Sequence, residues 1–240
     1  MQHSIFISDL HLCPTRPGIN QTFFEFLRGP ATQAEALSIL GDLFEYWAGD
    51  DDDDPFHASV STALRALHDG GVALYLMHGN RDFLIGERFT AAYGAQLLPD
   101  PTLLDLYGTR TLLMHGDTLC TDDVDYQRFR GEVRSAAWAI RFLATPLGVR
   151  KHRIEELRAQ SEAQKQIKPA AIMDVNATAV AEAFRSHRLD RMIHGHTHRP
   201  AHHVHEVNGQ TCQRWVLADW YATGSYLECN AQGWRSVALS

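Results

Sequence analysis

Five short apolar segments recur along the chain, and each of them runs into polar residues at its end. They lie at residues 3–12, 36–44, 72–82, 111–118 and 189–199. Their length and their content of Ile, Leu, Val and Met are typical of buried β-strands. Helical patterns at 20–28, 57–69 and 83–93 lie between several of them. This alternation predicts an α/β fold, and folds of this kind place their ligands at the carboxyl ends of strands.

Residues 124–184 break the alternation, because they have the pattern of helices and carry no strand signal. Within them residues 136–147 are mostly apolar, and Pro146 and Gly148 mark a bend. Further strands are predicted at 214–220, 225–230 and 234–239. We therefore predict a core in two parts, residues 1–123 and 185–240, with a helical cap inserted at 124–184.

Composition places the chain among globular proteins. Of its 240 residues 45% are apolar and 21% are charged, which is ordinary for a soluble domain with a sizeable core. No segment approaches the roughly 20 apolar residues of a membrane-spanning helix, and the N-terminus shows no export signal. The four cysteines are scattered without a CxxC pair, which favours a reduced cytoplasmic protein.

Charge is unevenly distributed along the chain. The net charge of −7 argues against general nucleic-acid binding, yet residues 126–168 contain ten Lys and Arg against four Glu. This segment therefore carries +6, and the remainder carries −13. A basic segment in an acidic protein indicates either an anionic partner or ordinary solvated helix faces. The acidic run at 50–54 lacks the spacing of a calcium loop, so we predict a solvated loop there.

The chemistry lies in five short motifs, one after each apolar segment. In order they are Asp9-Leu10-His11, Gly41-Asp42, Gly79-Asn80-Arg81-Asp82, His115-Gly116-Asp117 and Gly195-His196-Thr197-His198. Side chains two residues apart at a strand end point to the same face of the sheet, and the glycines allow sharp turns beside the site. Any one motif is a weak signal, but all five in this order are hard to explain by packing.

The side-chain types in these motifs are those of a metal site. Carboxylate, imidazole and amide oxygen together suit first-row divalent metals such as Mn, Fe, Co or Zn. Two such ions about 3.5–4 Å apart share a carboxylate and lower the pKa of bound water, which provides a nucleophile at neutral pH. Asp42 stands alone in its motif and is central in order, so it is the candidate bridge. The motifs predict a two-metal phosphoesterase.

The same motifs resemble the calcineurin-like metallophosphoesterases, whose pattern is D-x-H, G-D, G-N-[HR]-[DE], H and G-H-x-H. The resemblance implies a four-layer αββα sandwich in which Asp42 is shared by two ions. One ion would be held by Asp9, His11, Asp42 and His198, and the other by Asp42, Asn80, His115 and His196. In most of that superfamily the residue after Asn is His, whereas here it is Arg81.

Longer segments resemble one branch, the UDP-2,3-diacylglucosamine pyrophosphatases of lipid A biosynthesis, over nearly the whole chain. They are FISDLHL (6–12), ILGDLFEYW (39–47), LMHGNRDFLIG (76–86), LLMHGDTLCTDD (112–123), AIMDVN (171–176) and MIHGHTHRPA (192–201). The resemblance implies water attack on the α-phosphate of UDP-2,3-diacylglucosamine with two divalent ions, typically manganese. The products would be UMP and 2,3-diacylglucosamine 1-phosphate, also called lipid X. It further implies a monomer bound peripherally to the cytoplasmic face of the bacterial inner membrane.

Within this branch the predicted catalytic residues are Asn80, Arg81 and His196. When a pyrophosphate bond breaks, the leaving group is a phosphate, so a guanidinium that binds its spread charge serves better than a general acid. Carried over by position, the substrate contacts are Asn80, Arg81, Asp123, Ser161, Lys168 and His196. One further contact, commonly Asn or Thr, falls on Lys165, and Arg158 is a candidate by proximity. For Ser161, Lys165 and Arg158 a solvated helix face is the alternative.

The apolar residues of the cap allow two interpretations. They are Trp138, Ile140, Phe142, Leu143, Leu147 and Val149. The resemblance implies a channel for two acyl chains, whereas the pattern alone predicts helix core, which is the better explanation for any single residue. Their basic flank, formed by Arg150, Lys151 and Arg153, is predicted to meet anionic lipid headgroups.

Two other functions compete with this one. A phosphatase or phosphodiesterase for a soluble nucleotide would use the same ligands, but it needs no basic, apolar cap. A scaffold without metal would keep the fold, but such scaffolds lose one or more of these histidines, and here the ligand set is intact.

Overall fold

Eleven strands form two sheets in the part of the chain that the structure, a computed structural model, describes: residues 2–168 and 170–239, with the backbone alone for 164–167, 170 and 171. The strands are β1 (Ser4–Ile7), β2 (Ala36–Leu40), β3 (Ala73–Met77), β4 (Gln96–Leu98), β5 (Thr102–Leu106), β6 (Thr109–Leu113), β7 (Arg191–His194), β8 (Ala201–Val207), β9 (Gln210–Val216), β10 (Ser225–Asn230) and β11 (Gly233–Ala238). The first sheet has the order β11-β10-β1-β2-β3-β4, and the second has the order β5-β6-β7-β9-β8.

Seven α-helices accompany these strands in the described residues. They are α1 (Pro17–Arg28), α2 (Pro55–Asp69), α3 (Glu87–Tyr93), α4 (Val124–Val133), α5 (Ala136–Leu143), α6 (Leu147–Ile167) and α7 (Ala177–His187). None of the described helices is both long and apolar enough to cross a membrane.

The five predicted apolar segments all lie in the parallel parts of the two sheets. Strands β1, β2 and β3 are parallel neighbours in the first sheet, and β6 and β7 are parallel neighbours in the second. Parallel strands carry their carboxyl ends at the same edge, so the polar residues that follow them are brought together. The antiparallel strands β10 and β11 extend the first sheet beyond β1.

The layers follow from the alternation of side chains along each strand. Ile5 and Ile7 of β1 face one way and pack with Phe23 of α1, whereas Phe6 faces the other way and packs with Ile193 of the second sheet. Because both faces of the central strands are buried, their sequences are continuously apolar. Helix α7 covers the outer face of the second sheet. The four-layer αββα sandwich is thereby confirmed.

Helices α4, α5 and α6 form the cap, and their described residues belong to none of the three apolar core clusters. Helix α7 differs from them, since Val180 and Phe184 pack on Met192 of β7. The division at 124 and 184 stays a prediction, and we propose that the cap ends before α7.

Three strands, β4, β5 and β8, lie outside the predicted segments. Strand β4 has only three residues, and β5 and β8 are largely exposed at the two edges of the second sheet. None of them has the buried, continuous apolar character that marks the central strands.

Candidate metal centre and cavity

The predicted ligands lie on the loops at the carboxyl ends of β1, β2, β3, β6 and β7. The ligand atoms of Asp9, His11 and His198 lie within 4.8 Å of one another, and those of Asp9, Asp42 and His115 form a second such group. The structure thus gathers side chains that are up to 189 positions apart in the chain.

Asp42 and Asn80 connect the two groups. Asp42 Oδ2 lies 3.8 Å from Nε2 of both His11 and His115. Asn80 Oδ1 lies 3.1 Å from His115 Nε2 and 2.9 Å from His196 Nδ1. Asp42 therefore occupies the position that a shared carboxylate requires, between the two histidine sets.

Five of the seven predicted ligands have left-handed backbone conformations. Their φ angles are 56° for Asp9, 51° for His11, 54° for Asp42, 67° for His196 and 54° for His198. Such angles are uncommon outside glycine and cost free energy, so they persist only where surrounding structure imposes them. Here the N–H groups of Asp9 and His11 donate across to the carbonyls of Gly41 and Asp42, at 3.1 and 3.0 Å.

Two glycines allow these loops to touch. A Cβ at Gly79 would lie 2.0 Å from Asp42 Oδ1, and a Cβ at Gly41, whose φ is 92°, would lie 2.6 Å from the Gly79 Cα. The tight backbone expected from the motifs is present, and a side chain at either position would displace the loop that carries Asp42.

Asp82 fastens the same two loops and was given no role in the sequence analysis. Its Oδ1 accepts the N–H of Gly79 at 2.8 Å, and its Oδ2 accepts the N–H of Leu43 at 2.7 Å. The side chain is fully buried. The position of Asp82 at the end of the Gly79–Asp82 motif is the sequence signal that could have identified this role.

The outer nitrogens of three candidate ligand histidines face oxygen atoms. His115 Nδ1 donates to the carbonyl of Leu40 at 2.9 Å, His11 Nδ1 lies 3.5 Å from Glu45 Oε2, and His198 Nδ1 lies 3.4 Å from Asp219 Oδ2. Each Nε2 is therefore directed into the cluster. Metal-binding histidines are typically oriented in this way. Glu45 and Asp219 were missed by the sequence analysis, because a single acidic residue has no distinguishing pattern.

The atoms that face one another in the cluster are those that a cation would bind. Because His115 donates through Nδ1, a proton on its Nε2 would be shared with the Asn80 oxygen, and a cation that displaced this proton would meet a nitrogen lone pair and an amide oxygen. Asp9 Oδ1 is buried and accepts no hydrogen bond. These atoms would bind a divalent cation. This N/O donor set fits first-row divalent metals.

The charged groups of the cluster shift one another's pKa values. Burial raises the pKa of Asp42, whereas His198 and the other imidazoles hold the pKa of Asp9 well below its usual range despite burial. Against the effect of burial, Asp42 and Asp9 raise the pKa of His115 to about 9. Burial and the charge of His115 lower the pKa of His196 to about 4. His196 is consequently neutral at pH 7, as a metal ligand must be.

A cavity of about 450 Å³ extends from the cluster to the cap. Asn80, Arg81 and His196 line its polar end. Its apolar lining comes mainly from the cap and from the loop before α3: Phe83, Leu84, Phe129, Val133, Trp138, Phe142, Ile154, Leu157 and Met173. The rings of Trp138 and Phe142 stack with their centroids 4.5 Å apart.

Helix α5 corrects the prediction of helix core in the cap. None of its residues is buried, because Trp138 and Phe142 face the cavity and Ile140 is 70% exposed. Val149, in the next helix, is exposed as well. The amphipathic pattern of α5 reflects a cavity wall and not packing in an apolar core.

Six of the predicted substrate contacts, together with Arg158, line this cavity; the six are Asn80, Arg81, Asp123, Ser161, Lys168 and His196. Lys168 Nζ donates to both carboxylate oxygens of Asp123, at 2.6 and 2.7 Å. Arg158 Nη2 donates to Glu45 Oε1 at 2.7 Å. The side chain of Lys165 lies outside the described residues.

Two predictions about charged segments hold only in part. Arg150 is only 2% exposed and its Nη1 donates to Asp51 Oδ1 at 2.8 Å, while Lys151 Nζ lies 2.8 Å from Asp52 Oδ1. These two cations therefore bind the protein itself and not a headgroup; Arg153 is the exposed member of the flank. The acidic run is a loop with Asp51 and Asp53 exposed, as predicted, whereas Asp52 is buried and pairs with Lys151 of the cap.

Helix α4 is tied to the loop after β6 through Asp117. Asp117 is buried, and its Oδ2 accepts hydrogen bonds from the Tyr126 hydroxyl and from Arg130 Nε, both at 2.7 Å. The Tyr126 ring in turn stacks on His196, with centroids 6.0 Å apart. A cap residue that sequence reasoning did not identify is thus packed directly against a candidate ligand.

Comparison with known proteins agrees with this architecture. The family model described as calcineurin-like phosphoesterase matches residues 3–200. The UDP-2,3-diacylglucosamine hydrolase of Aromatoleum aromaticum is 56% identical over 230 residues, which are 96% of this chain and 94% of that protein. The protein of the same name from Escherichia coli O81 is 50% identical over 228 residues, 95% of each chain.

Among solved structures, a dimetal phosphatase from Danio rerio superposes with a TM-score of 0.51 at 13% identity. The match covers 99% of both chains. At that identity the likeness concerns the fold alone.

Proposed function

We propose that this chain, which belongs to the calcineurin-like phosphoesterase family, hydrolyses the pyrophosphate bond of UDP-2,3-diacylglucosamine in lipid A biosynthesis. The products are UMP and 2,3-diacylglucosamine 1-phosphate. One observation carries the proposal: a single cavity has the Asp/His/Asn cluster at one end and apolar cap side chains at the other. A substrate with a pyrophosphate and two acyl chains matches both ends. A soluble nucleotide would leave the apolar end unused.

The cluster is proposed to hold two divalent ions, with manganese as the working metal. Asp9, His11, Asp42 and His198 would bind one, and Asp42, Asn80, His115 and His196 the other. Such a pair neutralises phosphate charge and lowers the pKa of a bound water, which provides the nucleophile at neutral pH. The left-handed loops fix the ligand directions before any ion arrives, and this preorganisation reduces the cost of binding.

Asn80, Arg81 and His196 are the proposed catalytic residues, since all three line the cavity beside the cluster. The Arg81 backbone N–H donates to Asp42 Oδ1 at 2.8 Å, which fixes the residue next to the shared carboxylate. When water attacks the α-phosphate, the sugar phosphate leaves as an anion. The Arg81 guanidinium is proposed to bind that anion, so no proton donor is needed.

The glucosamine and its phosphate are proposed to contact Asp123, Ser161, Lys165 and Lys168. The ion pair between Lys168 and Asp123 lies on the cavity wall, where hydroxyls of the sugar can compete for both charges. The acyl chains then lie along Trp138 and Phe142.

We further propose that the protein works as a monomer on the cytoplasmic face of the inner membrane. Exposed Ile140, Leu143 and Val149 of the cap support a peripheral contact, with Arg141 and Arg153 beside them for anionic headgroups.

The test is a comparison of substrates with purified protein and manganese. UDP-2,3-diacylglucosamine, UDP-N-acetylglucosamine and bis-p-nitrophenyl phosphate are each incubated, and UMP or p-nitrophenol is measured. We expect UMP from UDP-2,3-diacylglucosamine and not from UDP-N-acetylglucosamine, and only slow release of p-nitrophenol from bis-p-nitrophenyl phosphate. Equal or better cleavage of the two small compounds would refute the proposed substrate.

A further inference from the structure

A second cavity, of about 480 Å³, adjoins the cluster beside the first. The two share Glu45, Arg158, His198 and Tyr221 as a common border. The second one adds Cys13, Thr15, Arg16 and Glu162. Among the described residues none of the apolar cap side chains of the first cavity reaches it. Its volume lies within the range of about 300–1,000 Å³ that is usual for small-molecule sites.

Planar groups are stacked on the cluster at this border. The Tyr221 ring lies over the His11 imidazole with centroids 5.1 Å apart and planes within 15°. The Arg16 guanidinium lies 4.2 Å from the Tyr221 ring centre and also donates to the His11 carbonyl at 3.2 Å. Aromatic rings and guanidinium planes are the surfaces on which proteins stack nucleobases. The thiol, hydroxyl and carboxylates around them offer hydrogen bonds.

The two ends of the proposed substrate differ in the surface that each requires. Its acyl chains need an apolar wall, and the first cavity has one. Its nucleoside needs a polar, stacking surface within one phosphate of the reacting centre. The second cavity provides that surface and reaches the cluster at His198.

We infer that the second cavity is the subsite for the uridine nucleotide, with Thr15, Arg16 and Tyr221 as contacts for ribose and base. This inference rests on the proposed function. The α-phosphate then lies at the cluster, and the two cavities bind the two products separately.

Cys13 allows a test that needs no mutation and no turnover. Of the four cysteines it alone is not buried, and its Sγ lies 3.3 Å from Thr15 Oγ1 inside the second cavity. Alkylation by iodoacetamide is followed by mass spectrometry with manganese alone, with manganese and inorganic phosphate, with manganese and UMP, and with manganese and lipid X. We expect UMP to slow alkylation of Cys13 at least about fivefold and the other additions to leave the rate unchanged.

The remaining outcomes overturn the inference. If phosphate protects as well as UMP does, the protection arises at the cluster and the cavity does not bind the nucleoside. If lipid X protects and UMP does not, the cavity belongs to the lipid. If nothing protects, the cavity is vacant in the product complexes.

A variant separates this inference from the proposed function. Thr15→Trp fills the second cavity, and Thr62→Trp on the exposed face of α2, which lines neither cavity, is its control. We expect the ratio of kcat/KM for UDP-2,3-diacylglucosamine to that for bis-p-nitrophenyl phosphate to fall about tenfold for Thr15→Trp only. An unchanged ratio refutes the subsite. A wild-type protein that does not cleave the nucleotide lipid at all refutes the proposed function, whereas protection of Cys13 by UMP is still measured independently.

Discussion

The metal-ligand loops and the cap lie on either side of one cavity, but they are held in place by different forces. Asp9, Asp42 and His196 have left-handed backbones that are fixed by hydrogen bonds between strand ends. The cap, in contrast, contributes no described residue to the apolar core clusters. It is attached by charged side chains at several separate points.

Those attachment points join cap cations to core oxygens. Arg150 pairs with Asp51, Lys151 with Asp52 and Arg130 with Asp117. Arg134 Nη2 donates to the carbonyl of Gly79 at 2.8 Å. In each of the three ion pairs one partner is at least 20% exposed, so water competes for its charge, whereas the bonds between the ligand loops join backbone groups.

The difference separates two tasks. Hydrolysis needs ligand positions that are accurate to a fraction of an ångström, and the sheet edges supply them. The proposed binding of long, flexible acyl chains needs a wall that can adjust. The cap walls are formed by side chains of α5, whereas Tyr126 of α4 stacks on His196, so we expect substitutions in α5 to affect substrate binding and those at Tyr126 to affect the cluster as well.

The largest effect is expected where the cluster is broken at its centre. Asp42→Ala removes the oxygen that lies 3.8 Å from His11 and His115 and the acceptor of the Arg81 N–H. Metal ions supply several kcal/mol of transition-state stabilisation, so kcat/KM for UDP-2,3-diacylglucosamine should fall at least about a thousandfold. The rate of UMP release in the presence of manganese measures this fall in kcat/KM. Asp69→Ala at the exposed end of α2 should keep full activity. Substantial turnover by Asp42→Ala would contradict the shared carboxylate.

Arg81→His tests the boundary between the two regions. Loss of a guanidinium aimed at the departing phosphate should lower kcat for the nucleotide lipid about a hundredfold. Cleavage of bis-p-nitrophenyl phosphate, whose leaving group is not a phosphate, should fall much less. Arg88→His, exposed on α3, is the matched control. Full turnover by Arg81→His would show that the assignment of Arg81 is wrong.

On the cap side, Trp138→Ala should change binding rather than chemistry. Trp138 stacks on Phe142 in the cavity wall, and its helix has no buried residue, so folding should be little affected. We expect KM for UDP-2,3-diacylglucosamine to rise about tenfold and kcat to change less than twofold. Ile140→Ala, on the solvent side of the same helix, should leave KM unchanged. A fall in kcat with constant KM would mean that the cap takes part in the reaction step.

Arg150→Ala tests the attachment of the cap itself. It removes the ion pair with Asp51 and a hydrogen bond to the carbonyl of Ala48. Because Asp51 is largely exposed and regains water, we expect the free energy of unfolding to fall by only about 2 kcal/mol. Denaturant unfolding measures the change. Arg153 is an exposed neighbour, and Arg153→Ala should keep the free energy of unfolding within about 0.5 kcal/mol of the wild type. An equal loss of stability in both variants would show that Arg150 does not attach the cap.

Acid should weaken the region around the cluster before it weakens the cap. Burial, with the nearby Arg214, lowers the pKa of His194 to about 3, and burial lowers that of His196 to about 4. Since unfolded histidine titrates near 6.5, the unfolded chain binds more protons below that pH. His194 and His196 should each lower the free energy of unfolding of the metal-free protein from pH 6.5 towards pH 4, by up to about 1.4 kcal/mol per unit, while Asp42, whose pKa burial raises to about 7, offsets one of them and leaves a net fall. Denaturant titrations at several pH values measure the slope, and His194→Gln should make it shallower. A flat profile would contradict the buried neutral imidazoles.

The ligand cluster could be predicted from the sequence because its chemistry restricts both residue type and place. Asp9, Asn80 and His198 each follow an apolar strand, and strands of this kind meet at one edge. The alternation of Ile5, Phe6 and Ile7 between two apolar faces likewise follows from the continuous apolar pattern, which indicates burial on both sides.

The attachment of the cap could not be predicted in that way. Asp51 and Arg150 are 99 positions apart, and an acidic run gives no sign of which cation it meets. Glu45 and Asp219 orient ligand histidines, yet each is a single common residue outside any spacing rule. The sequence of α5 is as apolar as that of a helix packed in a core. Only the position of the cavity shows that its apolar side chains line a cavity wall.

The spread of the ligands along the chain has a consequence during translation. Each proposed ion needs a residue from the first half of the chain and one of His196 and His198 near its end. A nascent chain that has not yet emerged past these histidines has an incomplete ligand set for either ion. We therefore expect metal capture only after His196 and His198, which follow β7, have left the ribosome.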